Sequence, residues 1–228
     1  MSWSSSLTTK QLLAVFAEEI ASRSGSVFDV FDDGCRLFAR SILPRVEEVR
    51  PHDRHQGGVA LRGTESQVWV HPYVFRQVCR NGAIMAQALE TCHLTGIDEI
   101  SCDEASESVR EAIATCCSDK AFTTAVEQTR SAATIQADLA LSILSHLSHF
   151  PADRLSDFLA MIFERFTNGR DNSRYGLMNA VTSVARDTRD PELRWRLEEL
   201  GGGIPAAIAP PRGDFGGRAV YQWDALVR

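Results

Sequence analysis

The hydrophobic pattern changes period near Gly82, and that change restricts the fold more than any other feature of the chain. Before it, apolar and polar residues alternate; after it, apolar residues recur every three to four positions. In SGSVFDVFDDGCRLFARSIL, Asp33-Gly34 lies between two runs rich in aromatic and β-branched residues, which is a hairpin signal. Val46–Val49 extends the sheet, PHDRHQGG reads as a polar loop, and VALRG and QVWVHPYVFRQV read as strands joined through Gly63–Ser66. Pro72 donates no backbone hydrogen bond, so it marks an edge or a bulge.

Helical spacing appears at Thr8–Ser22, with Thr8 or Thr9 as N-cap, and resumes at Ala83–Glu90. Ser101-Cys-Asp-Glu104 fits a capping box for a helix through Val109, Ile113 and Cys116. Ala133–Phe150, Asp153–Phe166 and Ser173–Thr188 follow, and Asp190-Pro191 opens a helix that ends at Gly201. Strands and helices are segregated, so the expected class is α+β. One domain spans 1–204: an antiparallel sheet of about four or five strands over about 25–82, then a helical half over about 83–204. An irregular tail occupies 205–228, in which AVYQWDALV has the pattern of a docking strand.

No apolar run is long enough to span a membrane, and the first residues lack a basic segment followed by a long apolar one. Six cysteines in such a chain read as reduced thiols, and the expected location is cytoplasmic. The net charge of −6 is unevenly spread. Residues 34–80 hold eight arginines against four acids, whereas residues 81–150 hold three basic residues against ten acidic ones. Only Lys10 and Lys120 are lysines, so the positive groups are planar forks suited to carboxylate or phosphate.

Cys92-His93, Cys102, Cys116-Cys117 and His146…His149 supply soft ligands, but none has the paired short spacing of structural zinc, so buried structural cysteines are the better reading and no metal or cofactor is expected. No serine elbow or cysteine–histidine signature occurs; Cys79, flanked by Arg76 and Arg80, is the one candidate nucleophile, set against a small apolar core residue. Gly201–Gly203 follows a helix, which suits a C-cap rather than a phosphate cradle. Asn179, Thr182 and Arg186 share one helix face and are read as bracing the corner at Cys79, Asn81 and Gly82. Arg36, Arg40, Arg62, Arg76 and Arg80, interleaved with Phe38, Trp69 and Tyr73, form a candidate surface for phosphates and stacked bases.

Two stretches carry a resemblance. VFRQVCRNGAIM is similar to an R-x-V-C-x-N-G block, on Arg76, Val78, Cys79, Asn81 and Gly82. GLMNAVTSVARDTRDPELRWRLEELGGGI is similar to an N-A-V-T block, on Asn179, Ala180, Val181 and Thr182. Together they resemble the phage/plasmid-like proteins, a domain of unknown function found on prophages and plasmids, over most of residues 25–204. That resemblance implies a setting in mobile-element DNA metabolism or defence and no activity. The resulting expectation is a non-enzymatic nucleic-acid-binding protein, with single-stranded or duplex nucleic acid as partner and self-assembly through an exposed sheet edge. The alternatives are a protein-interaction or self-assembling structural protein and, behind it, an enzyme using Cys79.

Overall fold

A computed structural model describes residues 7–88, 90–137 and 151–206. Helix α1 (Thr9–Ser22) opens with a capping box between Thr8 and Gln11 and buries Leu12, Val15, Phe16 and Ile20. Seven strands follow: β1 (Ser26–Asp32), β2 (Leu37–Ile42), β3 (Val46–Arg50), β4 (Asp53–Gly63), β5 (Gln67–Arg76), β6 (Asn81–Ile84) and β7 (Cys92–Thr95). All pairings are antiparallel. The β1–β2 turn forms at Asp33-Gly34, where Gly34 has a φ of 84° and Asp33 Oδ1 accepts from Arg36 N at 2.7 Å.

The sheet order is β1-β2-β4-β5-β6, with β3 on β4 and β7 on β5. Both central strands therefore change neighbours along their length. On β4, residues 53–56 pair with β3 and residues 60–63 with β2. The change falls at Gly57-Gly58, where a Cβ on Gly58 would overlap the Ser41 carbonyl. On β5, residues 67–70 pair with β7 and residues 73–76 with β6. Pro72 sits in the gap between them. Its carbonyl accepts from Met85 N at 2.9 Å, and its missing N–H faces the break in the ladder. Pro72 thus occupies a central strand, not an edge.

Two sequence expectations need correction. PHDRHQGG is not a loop: only Pro51-His52 turns, with His52 at φ 66°, and Asp53 onward is strand. Its polar residues are compatible with burial because Asp53 and His55 find partners beneath the sheet. Ala83–Glu90 is not a helix. Asn81–Ile84 is a fully buried strand registered against Tyr73–Arg76, so the sheet continues to Thr95 and not to residue 82. A four-residue apolar run fits either period, and pairing with β5 decides it.

Helices α2 (Cys102–Cys116), α3 (Asp119–Ala132), α4 (Ala152–Asn168), α5 (Arg174–Asp187) and α6 (Pro191–Gly203) complete the described fold. The Ser101–Glu104 capping box and the Asp190 cap form as the sequence predicts. Helix α3, capped by Ser118, was not anticipated. The expected helix over Ala133–Phe150 lies largely outside the described residues, as does the tail beyond residue 206. Gly201–Gly203 do not cap α6 but form its last turn. A Cβ on Gly202 would overlap the Ile84 carbonyl, so glycine lets α6 lie directly on β6.

One sheet face buries Leu37, Ala39, Val59, Leu61, Val68 and Val70 against α1 and α2. The other packs Phe38, Ala60 and Tyr73 on Trp195 of α6. Around β6, Val74 and Ala83 join the core of α3, α4, α5 and α6. The sheet curls strongly enough that Phe28 of β1 meets Tyr73 and Phe75 of β5, with ring centroids 6.2 and 5.2 Å apart.

Candidate functional site: an arginine-lined cleft at the β5–β6 turn

The β5–β6 hairpin turns through Gln77–Arg80, with Arg80 at φ 53°. This places Asn81 against α5. Its Nδ2 donates to Thr182 Oγ1 at 2.6 Å, and Thr182 Oγ1 donates to Met178 O at 2.9 Å. One turn further along α5, Arg186 Nη1 donates to Cys79 O at 2.7 Å. Gly82 has no room for a side chain, because a Cβ there would overlap the Tyr73 hydroxyl. The two sequence blocks singled out above therefore meet in space.

Beside this joint lies a cavity of about 330 Å³, lined by Arg50, Arg76, Arg165 and Arg186 together with Cys79, Asn179, Tyr175 and Ser183. Arg76 grips Asp53 through Nε and Nη2 at 2.8 and 2.7 Å, and its Nη1 reaches Cys79 Sγ at 3.1 Å. Tyr175 also donates to Asp53, at 2.6 Å. Burial alone would raise the Asp53 carboxyl, but the Arg76 and Tyr175 hydrogen bonds and the Arg76 charge hold it below the usual range. His55, 3.3 Å from the Tyr175 hydroxyl, is pushed down to about 4 by burial and is neutral at pH 7. Arg50 bonds Asp171 at 2.6 Å and lies 4.8 Å over the Tyr175 ring. Arg165 and Arg186 share Asp187, each at 2.8 Å. Hydrogen bonding from Arg186, with help from Arg165, depresses the Asp187 carboxyl to about 2. Four guanidinium groups thus face three carboxylates, and Arg80, in the adjoining turn, is exposed with no carboxylate partner among the described residues.

No family model matches this chain, and no curated protein or solved structure is significantly similar to it.

The other sequence-predicted residues lie apart from the cleft and do not gather on one open face. Arg40 is buried between Glu198 at 2.7 Å and Asp29 at 2.9 Å. Tyr73 is buried beside it, and burial drives its hydroxyl pKa up. Arg36 is paired with Asp33 in the β1–β2 turn, at 2.8 Å. Arg62 bonds Glu192 at 3.0 Å and covers the Trp69 ring at 4.6 Å; the other side of Trp69 stacks on His93 at 4.8 Å. Arg45 and Arg54 are likewise paired, with Asp119 and Glu48. The expectation of a base-stacking, phosphate-tracking sheet face is corrected accordingly. Arg40 and Tyr73 are interior groups, Trp69 is already sandwiched, and most of the local positive excess is neutralised by carboxylates brought in from elsewhere in the chain. Of the proposed contacts, Arg76 and Arg80 remain at the cleft, the former on its floor and the latter in its rim turn.

Beneath Trp69, His71 is fully buried, and burial depresses it to about 3. Its Nε2 lies 3.7 Å from Glu199 Oε1, which accepts from Trp195 Nε1 at 2.7 Å. Burial raises the Glu199 carboxyl to about 7. Among the described residues no group of three or more histidine, cysteine, aspartate or glutamate side chains gathers as a metal site. No described helix is long and apolar enough to cross a membrane.

Sequence reasoning did not identify Asp53, Arg165, Asp171, Tyr175 or Ser183 as site residues. Only Tyr175 and Ser183 had a local signal, since they flank the Asn179–Thr182 stripe on the same helix. Arg165 reads as the solvated side of an amphipathic helix until α4 is placed on α5.

Proposed function

We propose that this protein binds a phosphate-bearing ligand in the cleft between the β5–β6 turn and helices α4 and α5. The observation that carries this reading is the sharing of one carboxylate, Asp187, by two guanidinium groups, Arg165 and Arg186, at a cavity that also holds Arg76 and Arg50. Such a site keeps a surplus positive charge and forked donors suited to phosphate oxygens. Asn179 and Ser183 add short polar groups, and the volume lies in the range of small-ligand pockets. The resemblance to phage/plasmid-like proteins adds a nucleic-acid setting, in which a nucleotide or the phosphorylated end of an oligonucleotide supplies the same group. The reading assigns binding and no reaction step.

Thermal-shift and calorimetric titrations with inorganic phosphate, a nucleoside monophosphate, and oligonucleotides with and without a 5′-phosphate, each at two salt concentrations, test it. Stabilisation by the phosphate-bearing ligands, weakened by salt and lost in Arg186→Gln, supports the site. Absence of any response at low salt, or an equal response in Arg186→Gln, overturns it. Oligonucleotide binding that ignores the 5′-phosphate and survives the substitution moves the polyanion contact elsewhere on the protein.

A second reading, self-assembly, draws on β1. This strand ends the sheet path, and Phe28, Val30 and Phe31 on it are exposed.

A further inference from the structure

The cysteines are all free thiols. Two of them, distant in sequence, are brought to a single backbone carbonyl. Pairing of β7 with β5 sets Cys92 opposite Val70. Helix α2 packs across the same strand and ends at Cys116, whose Sγ lies 3.3 Å from Val70 O and 3.1 Å from Glu90 O. Cys92 Sγ lies 3.6 Å from that same Glu90 O. The two side chains thus converge on one oxygen. Cys92 is partly exposed, whereas Cys116 is buried.

We propose that Cys92 and Cys116 form an oxidisable dithiol, in which Cys92 is attacked first by a hydroperoxide and Cys116 resolves it to a disulfide joining β7 to α2. The asymmetry of the pair sets the order. Cys92 is the accessible member, and its interaction with neighbouring Cys116 lowers its pKa toward the thiolate that attacks peroxide. Neighbouring Cys92 and its own burial push Cys116 up. Neighbouring Cys117 points to a different environment, near Arg23 and Arg45, and burial pushes it up to about 11, which leaves it inert.

The chemistry balances as follows. The Cys92 thiolate attacks one peroxide oxygen, the O–O bond breaks, and the leaving hydroxide or alkoxide is protonated. Cys92 becomes a sulfenic acid, two electrons having passed from sulfur to oxygen. Cys116 sulfur then attacks Cys92 Sγ, the S–O bond breaks, the S–S bond forms, and the Cys116 proton leaves with the hydroxyl as water. Two thiols and one hydroperoxide give one disulfide, one water, and one alcohol or second water.

The test uses the full chain carrying Cys35→Ser, which removes the exposed thiol most prone to cross-link separate molecules. After reduction and brief exposure to hydrogen peroxide, remaining thiols are alkylated and the peptides weighed. The expected product is a Cys92–Cys116 linked peptide, with Cys79, Cys102 and Cys117 still alkylated. It should form faster than the oxidation of a small thiol of ordinary acidity under the same conditions. In Cys116→Ser the reaction should stop at a Cys92 sulfenic acid that dimedone captures. The proposal is overturned if Cys79 or Cys102 oxidises while Cys92 remains alkylatable, or if Cys92 is oxidised in the otherwise intact chain without the linked peptide. That readout needs no variant at either cysteine, so a folding defect in Cys116→Ser does not rescue the idea.

Discussion

Replacing Arg40 by methionine separates an architectural arginine from a ligand-binding one. Arg40 is 2% exposed and bonds Glu198 through Nε and Asp29 through Nη1. Arg194 closes the ring, reaching Asp29 at 3.1 Å and Glu198 at 3.2 Å. Burial alone would lower the Arg40 pKa, but the Glu198 charge, with Tyr73 and Asp29, raises it, so the side chain stays a cation. Methionine fills much of the same volume and leaves Glu198 Oε2 in the interior without its donor. Removing one partner of a buried ion pair costs about 3–5 kcal/mol. With a urea slope of about 2 kcal/mol per molar, the unfolding midpoint should fall by roughly 1.5–2.5 M while the slope stays constant. Adding Glu198→Leu to Arg40→Met should recover much of the loss, because the orphaned charge disappears with its partner. Arg36→Met is the control: its pair with Asp33 is exposed, so the unfolding midpoint should barely move. Urea melts followed by circular dichroism measure these four proteins and Glu198→Leu alone. An Arg40→Met loss below about 1 kcal/mol, or a double variant less stable than the sum of the singles, refutes the reasoning.

Four further outcomes are expected. Thr182→Val keeps the shape of the α5 face but removes the acceptor for buried Asn81 Nδ2, so it should cost about 1–3 kcal/mol in the same melts. Arg186→Gln loses a half-exposed ion pair and the bond to Cys79 O, so it should lower stability modestly, yet weaken phosphate binding about tenfold or more in calorimetry, the worth of one charge-assisted bond. His55 and His71 are both depressed, so they contribute stability above about pH 6.5 that is lost as pH falls toward about 4 and about 3; raised Glu199 works oppositely, losing stability as pH rises from about 4.5 to about 7. Between pH 7 and 5 the gain from Glu199 offsets part of the histidine loss, so Glu199→Gln should lose more stability than the parent over that range; equal pH slopes in the two proteins would contradict the assignment. Light scattering on size exclusion should show an oligomer that Val30→Lys reduces to a folded monomer; a monomeric parent at high concentration removes the β1 assembly reading.

Local chemistry made much of the fold legible. The Thr8, Ser101 and Asp190 caps and the Asp33-Gly34 turn each announce themselves within four residues, and each forms. What escaped was decided by partners far away in sequence. Asn81–Ile84 becomes strand because β5 offers it a ladder, and Asp53–Gly58 because Arg76 and Tyr175 receive its polar groups. The corner at Asn81 was legible as a joint braced by Thr182, since the polar stripe on α5 had to find partners. The arginine surface was misread for the converse reason. Counting charges in a segment ignores carboxylates arriving from elsewhere: Glu198 and Glu192 on α6, Asp171 before α5 and Asp119 at the start of α3.

The swap of neighbours on β4 at Gly57-Gly58 and on β5 at Pro72 lies at matching heights, since Gly58 is registered with Tyr73 and Val59 with Pro72. The two breaks line up into a crease across the middle of the sheet. Flanking strands change on either side of it, and single bonds such as Leu43 N to Gly57 O and Met85 N to Pro72 O span the gap. One leaf carries α1 and α2, and the other carries the arginine cleft. Helix α6 bridges the crease, with Trp195 packed on Phe38 of β2 and Gly202 seated on Ile84 of β6, so the two leaves are clamped together from one side.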